Sequence, residues 1–185
     1  MAQPFTSGAP LLFFEKTYPH DALLSPVLLH LRTALENGHA HSGWIEEHMH
    51  LLMQRLLHVH HRVYQEVEAL PAARPATREE LYRRLQCARD YAAALFDTPV
   101  TLAQLADVAC LSPNHLLRTF KQLFGQTPHQ FITDKRLEEA QRLLLTTDTS
   151  ITEICFAVGF ESLGTFSWLF RRRFGFSPKE FRKIR

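Results

Sequence analysis

The sequence predicts an all-α fold: two helix-turn-helix units joined by a long connecting helix and preceded by a helical amino-terminal segment. Three observations predict it. Residues 120–131 (FKQLFGQTPHQF) return fifty positions later as residues 170–181 (FRRRFGFSPKEF), and a repeated phrase marks a repeated structural unit. Apolar residues recur at helical spacing over most of the chain. Strand-like runs are few.

The elements follow in order. Residues 10–18 (PLLFFEKTY) read as one strand or an extended arm. Val27, Leu28, Leu31, Ala34 and Leu35 mark a short amphipathic helix that ends near Asn37-Gly38. A long helix follows over about 43–70, where Ile45, Met49, Leu52, Leu56, Val59 and Val63 step by four and three. That is an a/d-like seam of nearly three heptads. Packing within the chain is the default for such a stripe; a dimer interface is the sharper alternative. The prolines of residues 71–77 (PAARPAT) break the pattern and mark a linker. They divide the chain into an amino-terminal segment, 1–77, and a second domain, 78–185. A helix from residue 78 to about 96 opens that domain and stops at Asp97-Thr98-Pro99.

The first unit spans about 101–125. Leu102, Leu105, Ala106 and Ala109 follow i, i+3, i+4, i+7 spacing. Ser112 is placed to cap the next helix and Pro113 to start it. Leu116, Phe120, Leu123 and Phe124 form its buried stripe, and Gly125 ends it. A connecting helix over about 128–146, ~28 Å long at 1.5 Å per residue, restarts at Thr127-Pro128. The second unit spans about 150–175. Its Ile151, Ile154 and Cys155 lie forty-nine residues after Leu102, Leu105 and Ala106, whereas Ser162 and Phe166 lie fifty after Ser112 and Leu116. One residue therefore enters between its two helices. Ala106 and Cys155 are small enough to let a second helix cross closely. Phe166, Phe170 and Phe174 repeat the stripe, Gly175 the stop, and Ser177-Pro178 begins a helix over about 178–185.

Two short helices across a tight turn are the helix-turn-helix design, whose second helix enters the DNA major groove. The competing reading is a plain helical bundle with an internal duplication. Charge favours nucleic acid. Residues 1–100 hold nine Lys/Arg and eleven Asp/Glu, residues 101–185 twelve and eight. From Gly159 onward there are seven basic and two acidic residues. The basic end is an electrostatic footprint for phosphate, which the overall net charge of +2 conceals.

SPNHLLRTFKQLFGQTP, RLEEAQRLLLTT and ITEICFAVGFESLGTFSWLFRRRFGFSP, in that order, resemble the AraC/XylS-type transcriptional regulators. The resemblance covers about residues 81–185. It implies two helix-turn-helix units on one connecting helix, reading successive major-groove segments of double-stranded promoter DNA about 34 Å apart. It also implies contact with RNA polymerase where such proteins activate, although no residue here reveals activation or repression. Family members commonly carry a larger amino-terminal β-barrel effector domain. A complete barrel does not fit the hundred residues before the first unit. The expectation is a short natural member, or a chain lacking most of its sensor, with residues 10–18 as a remnant of the join. A homodimer through the amino-terminal helices fits the resemblance. A truncated dimerisation partner that modulates full-length relatives is the alternative function.

Carried over residue by residue, the resemblance puts Asn114, Leu117, Arg118, Lys121 and Gln122 on the outward face of the first recognition helix. Arg118 can bind guanine O6 and N7, and Asn114 adenine N6 and N7. Lys121 suits phosphate, and His115 reads as a partly buried structural residue. The second recognition helix presents Leu163, Gly164, Thr165, Ser167, Trp168 and Arg171. Here the chain departs from the family, which often has Arg or Lys at the place of Trp168. Indole has one donor and cannot form a bidentate guanine contact. The expected division is base readout by the first unit and mostly affinity from the second, with apolar contacts to thymine methyls. In the alternative, Trp168 packs into the protein.

No run of eighteen apolar residues appears, so no transmembrane helix is expected. The start MAQPFTSGAP lacks a basic n-region and an apolar core. Cys87, Cys110 and Cys155, odd in number and scattered, fit a reducing cytoplasm and read as small buried apolar residues. His39, His41, His48, His50, His58, His60 and His61 point in several directions around one helix, which suits a solvated polar face better than a metal site. His58 and His61 share a helix face, and Glu46 and Glu47 can approach His50. No phosphate loop, hydrolase motif or triad spacing is present, so neither enzymatic activity nor a cofactor is expected.

Overall fold

A computed structural model describes residues 24–38, 41–72 and 74–183. The strand or arm read at residues 10–18 lies outside the described residues, as does His39. Those described form nine helices and no strand: α1 (Ser25–Glu36), α2 (Ser42–Glu68), α3 (Pro75–Ala94), α4 (Leu102–Val108), α5 (Pro113–Phe124), α6 (Pro128–Thr146), α7 (Ile151–Ala157), α8 (Leu163–Phe174) and α9 (Pro178–Arg182).

Local chemistry sets most of the boundaries. Thr101, Thr127, Ser150 and Ser177 each form a capping box with Gln104, Gln130, Glu153 and Glu180 respectively, satisfying backbone donors at both ends of the box. Ser112 and Ser162 cap α5 and α8, accepting from His115 N–H and Thr165 N–H, both at 3.4 Å. Gly125 and Gly175 end them in the left-handed region, φ 72° and 83°, where a Cβ is costly. α3 begins at Pro75, three residues before the expected start, because proline suits a first helical position. The break at residues 71–77 is correspondingly shorter.

Two cores form, and α6 belongs to both. The first joins Val63, Val67 and Leu70 from the end of α2 to Tyr82, Leu85 and Ala88 of α3. It also takes Leu105, Ala106, Leu116 and Phe120 from the first unit, with Phe131 and Ile132 from the start of α6. The second joins Leu137, Ala140 and Leu144 of α6 to Ile154, Cys155, Phe166 and Phe170. The repeat therefore runs further upstream than the sequence reading traced. Leu85, Ala88 and Ala92 of α3 are buried just as Leu137, Ala140 and Leu144 of α6 are, fifty-two positions later. Each unit has three helices, α3–α4–α5 and α6–α7–α8. α6 closes the first and opens the second.

The amino-terminal helices pack less fully than their stripes predict. In α1, Val27 and Ala34 are buried, but Leu28 and Leu35 are exposed. In α2, Val59 and Val63 are buried, Ile45, Leu52 and Leu56 are half-buried, and Met49 is exposed. The seam splits because only the carboxyl-terminal part of α2 reaches the first core. His48 stacks on Trp44 with ring centroids 3.7 Å apart. His50 and His61 each meet a glutamine one turn on, Gln54 and Gln65. Cysteine burial also differs from expectation. Cys155 is buried, and burial pushes its thiol pKa up. Cys87 and Cys110 are exposed, since Cys87 faces away from the core on α3 and Cys110 occupies a turn.

Candidate nucleic-acid interface

Each unit turns through one left-handed residue. In the first this is Cys110, φ 50°; in the second it is Gly159, φ 88°. The bonds around them match: Leu111 N–H donates to Ala106 O at 2.9 Å and Phe160 N–H to Cys155 O at 3.0 Å. Arg84 Nη1 donates to Cys110 O at 3.2 Å, pinning the first turn to α3. The second turn packs against the α3–α4 connection. A Cβ on Gly159 would lie 2.5 Å from Asp97 O. Beside it, Arg136 donates to Phe96 O at 2.6 Å and Thr98 O at 2.9 Å. Partial burial pulls the Arg136 guanidinium pKa down from its ordinary value. The inserted residue falls after Phe160, so α8 starts one residue later in its unit than α5 does.

The turns and caps fix the outward faces. Along α5, Leu116, Thr119 and Phe120 are buried, and the Thr119 hydroxyl donates to His115 O at 2.7 Å. That leaves Asn114, Leu117, Arg118, Lys121 and Gln122 exposed together, with His115 half-buried. Gln122 is exposed yet engaged: its amide donates to Ala69 O at 3.0 Å, tying α5 to the end of α2. Along α8, Phe166 and Phe170 are buried, so Leu163, Gly164, Thr165, Trp168 and Arg171 are exposed and Ser167 is half-buried. Trp168 is 60% exposed, and the Arg172 guanidinium lies 5.3 Å from its ring centroid. The indole is thus on the surface and not packed into the protein.

Charge concentrates at the end of α8, where Arg171, Arg172 and Arg173 occupy the last turn and are exposed. Basic residues there also complement the helix dipole. Arg173 lies 3.8 Å from Asp134 of α6. The sequence reading took Arg171 from this run and passed over Arg172; its place one turn after Trp168 was the available signal. The reading also missed the polar face of α6 opposite, because a single helix does not show what stands across from it. Among the described residues, no three His, Cys, Asp or Glu side chains converge as a metal site. No described helix is long and apolar enough to cross a membrane.

Known proteins share this arrangement. A family profile described as a helix-turn-helix domain matches residues 105–184. The HTH-type transcriptional activator RhaS of Escherichia fergusonii is 42% identical over 90 residues, which cover 49% of this chain and 32% of that protein. The chain thus spans about a third of that relative's length. The DNA-binding domain of AdpA, a global transcriptional factor solved with a target DNA, aligns with a TM-score of 0.52 at 32% identity, over 55% of this chain and 91% of that one. An AraC-type transcriptional regulator from Chromobacterium violaceum aligns with a TM-score of 0.51 at 33% identity, over 54% and 89%. With tandem units, shared connecting helix and these likenesses together, the chain belongs to the AraC/XylS-type family of transcriptional regulators.

Proposed function

We propose that this protein regulates transcription by binding double-stranded promoter DNA sequence-specifically, with α5 and α8 entering successive major-groove segments on one side of the duplex. One observation carries the reading: two units with the same caps, turns and glycine stops stand on a single helix and leave both second-helix faces exposed. The AdpA domain, which this chain resembles in fold, is solved with a target DNA.

The two faces support a division of labour. On α5, Arg118 pairs with guanine and Asn114 with adenine, while Lys121 contacts phosphate. Leu117 suits a thymine methyl, and Gln122 steadies α5 against α2 at the edge of the face. On α8, Leu163, Gly164 and Trp168 offer no bidentate donor, Thr165 and Ser167 offer single hydroxyls, and Arg171 contacts phosphate. The first unit supplies most of the base discrimination and the second most of the sequence-independent affinity. A gel-shift titration with a base-substitution scan tests this. Steeper losses are expected in the half-site under Arg118; equal losses in both half-sites would overturn the division.

A second reading, a partner that dimerises with longer relatives, is favoured by the exposed apolar residues Leu28, Leu29, Leu35, Met49 and Met53 on α1 and α2. If the chain alone binds no DNA and a longer relative restores binding, the partner reading wins. A homodimer through these helices and contact with RNA polymerase are compatible with either.

A further inference from the structure

The repeat places equivalent surfaces on the two units, and they are filled differently. In the first unit, the end of α2 covers the groove between α3 and α5. Val63, Val67 and Leu70 pack with Leu81, Tyr82 and Leu85. Tyr82 donates to Glu66 Oε2 at 2.7 Å, and Gln122 holds Ala69 O. In the second unit, the counterparts of Leu81, Tyr82 and Gln122 are Thr133, Asp134 and Arg172. No described helix fills that groove, and an open cleft of about 430 Å³ remains between the end of α5, the first half of α6 and α8.

The polar side of the lining bears on the occupant. Where the first unit presents Leu81 and Tyr82 to a packed helix, the second presents a hydroxyl and a carboxylate beside Leu137 and Leu169. Gln126, His129, Thr133, Arg172 and Arg173 bring hydrogen-bond donors to the cleft. Asp134, its one carboxylate, lies by Arg173 and leaves Arg172 as surplus positive charge. Such a cleft suits an anion held by charge-assisted bonds. Its place decides which anion. It runs from Gly125, the stop of α5, to Arg172, one turn beyond Trp168 on the outward face of α8. In the proposed binding mode, the interval between α5 and α8 is where the duplex carries its backbone from one major-groove segment to the next.

We infer that this cleft is a phosphate cradle for the DNA sugar–phosphate backbone crossing between the two major-groove segments, with Arg172 its principal charge. The inference rests on the proposed mode of DNA binding. A cradle of this kind positions the duplex without reading sequence, and fixes the spacing at which the second unit meets its segment.

Phosphate-ethylation interference on the full chain with an operator duplex, paired with salt titrations of wild type and Arg172→Gln, tests the inference. The substitution installs the residue found at the equivalent place in the first unit. Ethylation of phosphates between the two segments should weaken wild-type binding and matter less for the variant. The variant's log–log salt slope should be shallower by about one, so its affinity falls about threefold less between 50 and 200 mM salt. Its loss should be the same for every operator sequence, and its thermal melt should match wild type because the side chain is exposed. Two protected segments with insensitive central phosphates, or an unchanged salt slope, would overturn the cradle alone. Absence of DNA binding by wild type would overturn both the cradle and the binding mode beneath it.

Discussion

The first helix-turn-helix unit is closed and the second is open. They share turn, caps, aromatic stripe and glycine stop, yet α2 seals one groove and nothing described seals the other. Even their capping boxes differ. The first unit's boxes use Gln104 and Gln130, the second's Glu153 and Glu180. Duplication preserved what the backbone requires, while the surfaces diverged. The scaffold is held by local hydrogen bonds and a packed stripe that tolerate little change; an outward side chain is constrained only by what it meets.

The largest expected effects probe whether the two cores are separable. Phe120 and Phe170 are fully buried, one in each core, and Phe120→Ala or Phe170→Ala should each cost about 3–5 kcal/mol in urea unfolding. Hydrogen exchange then sharpens the comparison. Phe170→Ala should open α7–α9 while α3–α5 keep their protection. Uniform loss would show that α6 couples the units into one cooperative body.

The turns come next. Gly159→Ala forces a Cβ against Asp97 O and a side chain into the left-handed region, and should destabilise by roughly 2–4 kcal/mol. Cys110→Gly at the equivalent place should be stabilising, by at most about 1 kcal/mol. Calorimetric melts of both variants check the contrast, and a harmless Gly159→Ala would break it.

For DNA binding, Arg118→Ala should cost about 1–3 kcal/mol and relax specificity, whereas Arg171→Ala should weaken all sequences alike and reduce the salt slope by about one. Competition titrations against substituted operators distinguish the two patterns. Similar patterns for both variants would erase the proposed division.

The smallest effect is one of pH. Hydrogen bonds from the Ser150 hydroxyl and N–H hold the Glu153 carboxyl below the usual carboxylate range, and the Ser177 N–H and hydroxyl do the same for Glu180. A lowered folded-state pKa contributes stability that is present above the unfolded value and lost as pH falls through the folded one. Acidification below the ordinary carboxylate range should therefore loosen the starts of α7 and α9. The glutamine boxes of α4 and α6 do not titrate. Amide chemical shifts followed on acidification should move at Ser150 and Ser177 before Thr101 and Thr127; Glu153→Gln should remove the response at Ser150.

Much of this was legible beforehand because its causes are local. A cap such as Ser112 meets His115 three residues on, a stop such as Gly125 needs only its own φ, and a stripe such as Phe166–Phe170 repeats within one turn. The exposed set Asn114, Leu117, Arg118 and Lys121 followed from the stripe opposite it. Less legible was anything that spans the chain. The bond from Gln122 to Ala69 crosses fifty-three residues. The exposure of Leu28 and Leu35 depends on where α1 meets α2, and the burial of Leu81 and Tyr82 on where α2 ends. Periodicity marks a face as apolar without saying whether another helix reaches it.

The sequence by itself determined most of the helices and their ends, the duplicated unit and the outward faces of α5 and α8, since each depends on contacts within a few residues. Only the tertiary structure decided that α6 serves two cores, that α2 seals the first unit, and that the second keeps an open basic cleft beside Trp168. Those features depend on which distant helices meet, and packing brings together residues that no local spacing relates.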